Sequence, residues 1–277
     1  MRVLVTGGAG LLGSALIRGA PEGVEVHATW RETPVAGAEA HRVDLADAAA
    51  VDALLARLRP AIVIHTAYGK HDLDRDVVRA TRGVAEACRR ASAGLVHLST
   101  DVVFDGERAP YDESAAPVPI SDYGRAKAEA ERAVGELLPG AAIVRTSVIV
   151  RVDEENETVR HLRAGTLPPA FVDELRCAIA VDDLAAQLWE VALLPADRRG
   201  GVWNLAGPEA LSRHALAVLL ALRFGLDPRD VIPGLNRGFT PPRPRDLRLS
   251  TARADRELAA RARPISEVLF APAALTP

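Results

Sequence analysis

The sequence predicts an α/β fold in which helices cover both faces of a parallel sheet. A short apolar strand at residues 2–5 leads through a glycine-rich turn into an amphipathic helix that begins near Leu11. Strands and helices then alternate four times, with short connections, up to about residue 100. This alternation is typical of βαβ units, whose ligands bind at the carboxyl ends of the strands. We therefore predict a doubly wound, Rossmann-type parallel sheet.

The glycine-rich turn has the spacing Gly-x-x-Gly-x-x-Gly, formed by Gly7, Gly10 and Gly13. Gly7 can adopt backbone angles that a Cβ forbids, Gly10 allows a pyrophosphate to approach, and Gly13 allows the helix to pack on the strand. The free N–H groups of the helix start, at Leu11 and Leu12, would face the phosphates. The turn therefore predicts a dinucleotide site, with an ordinary glycine-rich turn as the alternative.

The second strand, residues 24–30, ends at Arg31. In a dinucleotide-binding unit this end lies beside the adenosine ribose. An acidic residue there would accept hydrogen bonds from a 2′-hydroxyl, whereas an arginine favours a 2′-phosphate. Arg31 therefore predicts NADP(H) as the cofactor, with NAD(H) left open because a surface arginine can occur there by chance.

Three further strands precede the centre of the sequence. A third strand at residues 40–43 ends in Asp44-Leu45, and a fourth at residues 61–64 ends in His65-Thr66-Ala67-Tyr68. The fifth, which starts at residue 94, runs into Ser99-Thr100-Asp101. At a strand end His65 is better explained as a packed or hydrogen-bonded residue than as a catalytic base. Thr66 and Tyr68 could face a substrate.

A tyrosine and a lysine follow on the next helix. Tyr123 and Lys127 are four residues apart, which places them on one helical face about 6 Å apart along the axis. Carbonyl reduction needs a phenol that gives a proton to the developing alkoxide, and a neighbouring ammonium would lower the pKa of that phenol. Thr100 could hold the carbonyl oxygen in line. These three residues are the predicted catalytic group.

The combined motifs resemble the extended short-chain dehydrogenases/reductases, and within them the dTDP-4-dehydrorhamnose reductase group. The shared motifs are Thr-Gly-x-x-Gly-x-x-Gly, Ser-Thr-Asp-x-Val-Phe-x-Gly, Tyr-Gly-x-x-Lys, Val-Arg-Thr-Ser, Trp-Asn-Leu-Ala-Gly and Arg-Pro, and they span nearly the whole chain. The resemblance implies that Tyr123 is the acid/base, that Lys127 orients the nicotinamide ribose and that Thr100 polarises the carbonyl. It also implies that Asp44, with Leu45 beside it, binds adenine, and that the segment 65–67 lines the pyrophosphate and nicotinamide ribose.

The resemblance also assigns the residues that would bind the substrate, which are Tyr68, Asp101, Val102, Ser147 and Arg243. Val102 stands where the rhamnose enzymes carry a tyrosine, and a valine follows Ser147 where they carry a tryptophan. The cofactor chemistry is therefore better supported than the identity of the sugar. Dehydration is disfavoured, because the related sugar-nucleotide dehydratases carry a glutamate at the position of Val102.

The expected domain division places residues 1–150 in the dinucleotide-binding domain, to which residues 176–206 return. Residues 151–175 and 207–277 would form a small C-terminal substrate-binding subdomain. In the latter, Arg243 and Arg245 lie in a stiff proline-rich run and could clamp a diphosphate, or could be ordinary surface residues.

Composition excludes several other classes of function. A net charge of −3 and a pI near 6.2 give no general attraction to nucleic acid or membranes. The sequence contains no apolar run of membrane-spanning length and begins directly with the first strand, so we expect a cytoplasmic protein without a signal peptide. Cys88 and Cys177 read as buried reduced residues, and no spacing suggests a metal site.

Together with the resemblance, the sequence therefore predicts an NADP-preferring reductase of a keto group on a nucleotide-activated sugar, of the dTDP-4-keto-6-deoxysugar type. The hydride would come from the nicotinamide and the proton from Tyr123, and a homodimer is one assembly open to it. One alternative is a reductase or epimerase of another small carbonyl compound. Another is a non-catalytic NADP-binding regulatory subunit, similar to the beta subunit of methionine adenosyltransferase, which has a similar strand end and Arg-Pro segment.

Overall fold

The computed structural model describes residues 1–69, 71–153 and 156–271. Residues 70, 154, 155 and 272–277 lie outside the described residues, and all of these except residue 70 fall in the predicted smaller subdomain.

Seven strands form the central sheet: β1 Arg2–Thr6, β2 Glu25–Trp30, β3 Glu39–Arg42, β4 Ile62–His65, β5 Gly94–Thr100, β6 Ala142–Thr146 and β7 Gly201–Leu205. Their order is β7-β6-β5-β4-β1-β2-β3, and every neighbouring pair is parallel. From β1 to β3 successive strands are added on one side of β1, and from β4 to β7 they are added on the other side. Sheets of this type bind ligands at this switch point, between β1 and β4. The predicted Rossmann-type fold is confirmed.

The described residues form ten α-helices: α1 Leu11–Arg18, α2 Ala48–Leu58, α3 Ala80–Ala91, α4 Asp122–Leu137, α5 Glu157–Arg163, α6 Val181–Leu193, α7 Ala196–Arg199, α8 Arg213–Arg223, α9 Ala252–Glu257 and α10 Ile265–Phe270. A π-helical turn, Asp74–Arg79, leads into α3. Four of these helices begin at side-chain caps, whose oxygens accept from backbone amides of the first turn: Asp47 for α2, Ser121 for α4, Asn156 for α5 and Ser212 for α8.

The sheet is buried on both faces because its strands are apolar at successive positions. On β1, Val3 and Val5 face one side and Leu4 faces the other. Helices α1 and α6 cover the first face, and α2 and α3 cover the second. The Trp189 indole N–H also donates to the Leu16 carbonyl at 3.0 Å, which ties α6 to α1.

A smaller layer lies beyond the sheet and is built from three pairs of two-residue strands and helices α5, α8 and α10. The strand pairs are Ile149–Val150 with Ile179–Ala180, Leu175–Arg176 with Leu211–Ser212, and Ala170–Phe171 with Pro233–Gly234. Helices α8 and α10 share a separate apolar cluster that includes Leu220 and Leu269.

Two parts of the C-terminal half bear on the expected domain division. Residues 201–205 return to the sheet as β7, as the division expects. Helix α9, assigned by sequence to the smaller subdomain, packs on β7 instead, and its Ala254 belongs to the core of the sheet. The division into two units stays a prediction.

Both cysteines are free and buried, as expected. Within the described part of the chain, every helix is too short or too polar to cross a bilayer.

Candidate active site

A cavity of about 650 Å³ opens at the carboxyl ends of the central strands. It extends from the ends of β2 and β3, past β1 and β4, to the ends of β5 and β6. Fifteen of the residues singled out from the sequence line it: Gly7, Gly10, Leu11, Leu12, Gly13, Arg31, Asp44, Leu45, Thr66, Ala67, Tyr68, Thr100, Tyr123, Lys127 and Ser147. The fold therefore collects in one cavity residues from seven separate parts of the sequence.

The glycine turn has the close approaches expected of a phosphate cradle. Gly7 has φ +69°, and a Cβ there would lie 2.9 Å from the Cα of Ala67. A Cβ on Gly13 would overlap the carbonyl oxygen of Gly7, so only glycine lets α1 pack this closely on the turn. Among the described residues no side chain caps α1, which leaves its first amides directed at the cavity. This geometry fits the pyrophosphate of a dinucleotide.

The Tyr123 ring lies beside the cavity, with its centroid 6.0 Å from that of Tyr68. Thr100 also lines the cavity, and its hydroxyl contacts the amide of Val102 and the carboxylate of Asp101, each at 3.4 Å. These distances make weak hydrogen bonds. The Thr100 hydroxyl is therefore available to hold a substrate oxygen.

Lys127 is buried behind Tyr123. Its ammonium donates to the carbonyl oxygen of Leu98 at 2.5 Å and lies 3.5 Å from His97 Nε2. Burial lowers the pKa of Lys127 to about 8, and the nearby carboxylate of Glu131 opposes that change. Lys127 is thus still largely protonated near neutral pH.

The pKa of Tyr123 moves in the direction opposite to the one expected. Burial raises it above its usual value, and Tyr68 and Asp101 raise it further. The causes are thus burial and two neighbouring groups, whereas the ammonium of Lys127 is bonded to the carbonyl oxygen of Leu98 on β5. In this structure Tyr123 is therefore protonated, which is the form that can give a proton.

His65 does not line the cavity. Its ring is buried between two hydroxyls, with Nδ1 at 2.7 Å from Thr6 Oγ1 and Nε2 at 3.2 Å from Thr81 Oγ1. Burial, followed by the charge of Lys127, lowers the pKa of His65 to about 3, so the ring is neutral. The structure therefore does not bring His65 to the cavity lining, and the ring is packed and hydrogen-bonded, which is the other explanation that the sequence offers.

Three residues expected to touch substrate lie outside the cavity lining, namely Asp101, Val102 and Arg243. Asp101 is buried and accepts a hydrogen bond from Ser147 at 2.7 Å, with Arg176 Nε at 3.8 Å. Burial raises the pKa of Asp101. It therefore positions Ser147, which does line the cavity.

Val102 packs against the apolar cluster around Phe104. Arg243 forms a two-pronged pair with fully buried Glu174, at 2.9 and 3.1 Å. Arg245 pairs instead with the exposed Glu107 at 3.3 Å. Arg243 and Arg245, which the sequence offers as a diphosphate clamp or as surface residues, thus each form an ion pair with a carboxylate.

At the adenosine end of the cavity Arg31 is 44% exposed and donates to Asp76 at 2.9 Å. Arg75 donates to Asp76 at 2.5 Å and also pairs with Asp44, the expected adenine ligand. The sequence analysis missed Asp76 and Arg75. In the sequence they are marked only by an Asp-Arg-Asp run before an amphipathic helix. The π-helical turn that contains them brings Asp76 to Arg31 and Arg75 to Asp44.

Ser99 and Thr146 also line the cavity and were not singled out from the sequence. Ser99 donates to Glu131 at 2.5 Å, and Glu131 binds Arg145 Nη2 at 2.8 Å in a pair that is almost fully buried. The Thr146 hydroxyl is buried with no hydrogen-bond partner among the described residues. An unpaired buried hydroxyl beside a cavity fits a polar ligand.

The fold and this cavity define a dinucleotide-binding protein of the Rossmann type with a Thr-Tyr-Lys group beside the expected nicotinamide position. Residues 1–271 match the model of the RmlD substrate binding domain. The chain belongs to this family, an RmlD-like group of the extended short-chain dehydrogenases/reductases.

Three named relatives illustrate the range of similarity. A dTDP-4-keto-6-deoxy-D-glucose reductase from Streptomyces niveus is 38% identical over 184 residues, which are 57% of this chain and 60% of the relative. A probable dTDP-4,6-dihydroxy-2-methyloxan-3-one 4-ketoreductase from Streptomyces antibioticus is 32% identical over 88% of this chain and 84% of the relative. Methionine adenosyltransferase 2 subunit beta from Xenopus tropicalis is 29% identical over 81% and 72%, respectively.

Solved structures share the fold over nearly the whole chain. A dTDP-4-dehydrorhamnose reductase from Clostridium acetobutylicum has a TM-score of 0.80 and 25% identity, with 97% of each chain covered. One from Bacillus anthracis, solved in complex with NADP, has a TM-score of 0.79 and 23% identity, with 97% of this chain and 96% of that chain covered.

Proposed function

We propose that this protein is an NADP-preferring reductase of a keto group on a nucleotide-activated sugar, of the dTDP-4-keto-6-deoxysugar type. The observation that carries the proposal is the placement of Thr100, Tyr123 and Lys127 in the cavity that also holds the glycine turn. The names of the two Streptomyces relatives support the substrate class.

The residues present fit a dinucleotide. The glycine turn and the uncapped start of α1 would hold the pyrophosphate, and Arg31 would face the ribose 2′-position. Arg31 keeps one exposed side even while it pairs with Asp76. A 2′-phosphate would offer it a second, more highly charged partner, which is the basis for the NADP preference.

Bound NADPH would supply a hydride to the carbonyl carbon of the substrate. Tyr123 then donates its phenolic proton to the carbonyl oxygen as negative charge develops there. The hydroxyl of Thr100 steadies that oxygen. Lys127 would hold a ribose hydroxyl of the cofactor, and its charge would help to stabilise the phenolate left on Tyr123. The products are the alcohol and NADP⁺, and Tyr123 recovers its proton from solvent.

On the substrate side, Ser147 and Tyr68 reach the cavity together with the catalytic group. Ser147 is held by Asp101, so its hydroxyl position is determined by a buried carboxylate. We assign Ser147 and Tyr68 to the sugar. Asp101 acts through Ser147.

A second candidate is an NADP-binding subunit that regulates a larger enzyme without turnover. The similarity to methionine adenosyltransferase 2 subunit beta over 81% of this chain favours it. Because an intact tyrosine and lysine suit both candidates, only turnover separates them.

The test follows NADPH absorbance, with NADH in parallel, in the presence of dTDP-4-keto-6-deoxyglucose and its epimerised 4-keto relatives. We expect reduction by the wild type and a loss of at least about a hundredfold in kcat for Tyr123→Phe. Tyr68→Phe is the matched control, because it removes one hydroxyl from the neighbouring ring. It should change KM more than kcat.

Tight NADPH binding without turnover of any sugar nucleotide would contradict the reductase proposal. In that case, co-purification with a larger enzyme would favour the regulatory subunit, and turnover of another ketone would favour a different carbonyl substrate.

A further inference from the structure

Three potential metal ligands meet at the edge of the sheet, on β2 and β3 and outside the cavity lining. His27 Nδ1 lies 3.0 Å from His41 Nε2 and 3.7 Å from a carboxylate oxygen of Glu39. His41 Nε2 lies 3.9 Å from the other oxygen of Glu39. One donor atom from each of the two imidazoles and the carboxylate therefore lies within 4.8 Å of the other two.

Strand register creates this group. His27 pairs with Glu39, and Thr29 pairs with His41, in a parallel ladder where alternate residues share a face. The two imidazole rings stack with an interplanar angle of 17°. Glu39 and His41 are two residues apart on one strand, but His27 lies 12 positions before Glu39, so only the pairing of β2 with β3 completes the group.

The separations suit a small tetrahedral ion. Donor atoms about 2.0–2.2 Å from Zn²⁺ in tetrahedral geometry are about 3.3–3.5 Å apart. The two imidazole nitrogens are 3.0 Å apart, and each lies 3.7 or 3.9 Å from a different oxygen of Glu39. One donor atom from each residue lies within 4.8 Å of the other two, so a small rotation of the exposed Glu39 carboxylate would complete the set. Glu39 is 67% exposed at the side chain, which leaves an open route for the ion and a position for water.

The carboxylate behind His27 prepares that ring to bind a metal. Glu25 Oε1 lies 2.9 Å from His27 Nε2 and also pairs with Arg2 at 3.1 Å. With Nε2 protonated and donating to Glu25, the lone pair of Nδ1 is directed at His41 and Glu39. A carboxylate that binds the second nitrogen of a metal-ligating histidine is a regular feature of zinc sites.

Arg57 is the one positive group that touches the donors among the described residues, with Nη2 at 3.4 Å from His41 Nδ1. When Arg57 donates to that nitrogen, His41 carries its proton on Nε2 and gives it to His27. Binding of an ion requires that proton to move to His41 Nδ1 and Arg57 to turn towards solvent. Arg57 therefore competes with the ion.

We propose that His27, His41 and Glu39 form a binding site for a divalent transition-metal ion, with Zn²⁺ as the best match. Two imidazoles and one carboxylate favour such an ion over Mg²⁺ or Ca²⁺, which take oxygen ligands. The ion ties the edge strand β3 to β2. These strands lead into Asp44 and Arg31, so the ion supports the adenosine end of the cavity from behind.

The test is calorimetric titration of Zn²⁺ into metal-stripped protein that carries no polyhistidine tag, with Mg²⁺ as the comparison ion. We expect one Zn²⁺ per chain and no Mg²⁺ binding at the same concentrations. His41→Gln should weaken Zn²⁺ binding by at least about a hundredfold, and Glu25→Gln by about tenfold through His27. Arg57→Met should bind as tightly as the wild type or more tightly.

His161→Gln is the matched control, since His161 is exposed and lies 3.8 Å from one glutamate without a second histidine. It should leave the titration unchanged. Zn²⁺ binding that survives His41→Gln, or the absence of a one-to-one site in the wild type, overturns the proposal.

A second measurement uses only the wild-type protein, so its outcome does not depend on whether a variant folds. The visible spectrum of Co²⁺ bound to the wild-type protein should show the intense bands of a four- or five-coordinate ion. The weak spectrum of the hydrated ion would overturn the site.

Discussion

The buried charge of Lys127 should lower the stability of the folded protein. Lys127 is 4% exposed, and burial lowers the pKa of its ammonium from 10.5 to about 8. At about 1.36 kcal/mol per pH unit, this displacement corresponds to about 3 kcal/mol of unfavourable free energy while the group is protonated. Lys127→Met removes that charge but leaves the carbonyl of Leu98 unpaired, which costs about 1 kcal/mol. The variant should therefore be about 1–2 kcal/mol more stable at pH 7.

The stability difference between the wild type and Lys127→Met should depend on pH. Between about pH 8 and 10.5 the unfolded chain binds the proton of Lys127 more tightly than the folded chain does, so the stability of the wild type rises with pH relative to the variant. Below pH 8 the unfavourable term is present in full. The advantage of Lys127→Met should therefore shrink above pH 8 and vanish or reverse near pH 10.

Urea unfolding at pH 7, 8, 9 and 10 measures both effects. Arg125→Met is the matched control, because it removes an exposed charge from the same helix and should change stability by less than about 0.5 kcal/mol at every pH. The reasoning is refuted if Lys127→Met is less stable than the wild type at pH 7, or if the difference between the two proteins does not change with pH.

Three other perturbations test the cavity and its support. Arg31→Ala should raise the Kd of NADPH by about tenfold or more and change that of NADH little, measured by fluorescence titration, because one charge-assisted contact to a phosphate is lost. Gly13→Ala should weaken both cofactors at least tenfold in the same titration, since its Cβ overlaps a backbone oxygen of the turn, whereas Gly135→Ala has open space and should bind normally. Glu131→Gln should cost about 3–5 kcal/mol in urea unfolding by leaving Arg145 buried without its partner, and Glu131→Met with Arg145→Leu should recover most of it.

Each of these has a contrary result. Equal effects of Arg31→Ala on NADPH and NADH would place Arg31 away from the 2′-phosphate. Normal binding by Gly13→Ala would mean that the turn is not the phosphate cradle. A double variant at Glu131 and Arg145 that is as unstable as the single one would mean that packing, rather than the uncompensated charge, causes the loss.

Local patterns in the sequence determined the sheet and most of the cavity lining. The strand, glycine turn and helix at residues 2–18 are contiguous, so their geometry follows from short-range backbone preferences. The four-residue spacing of Tyr123 and Lys127 follows from the helical repeat. Residues that directly follow a parallel strand reach the same edge of the sheet, which is why Thr66 and Thr100 could be predicted to lie together at the cavity. Asp44, which also lines it, was assigned through the family resemblance.

Only the tertiary structure decided the partners of charged and polar side chains. The sequence offers Arg243 as a clamp, but the fold brings buried Glu174 within 2.9 Å of it and takes the arginine away from the cavity. It likewise directs Lys127 to a β5 carbonyl, and burial, Tyr68 and Asp101 raise the pKa of Tyr123. Such pairings depend on residues far apart in the chain, and on desolvation that exists only after the chain has packed. For the same reason, strand register alone brings His27 and His41 together.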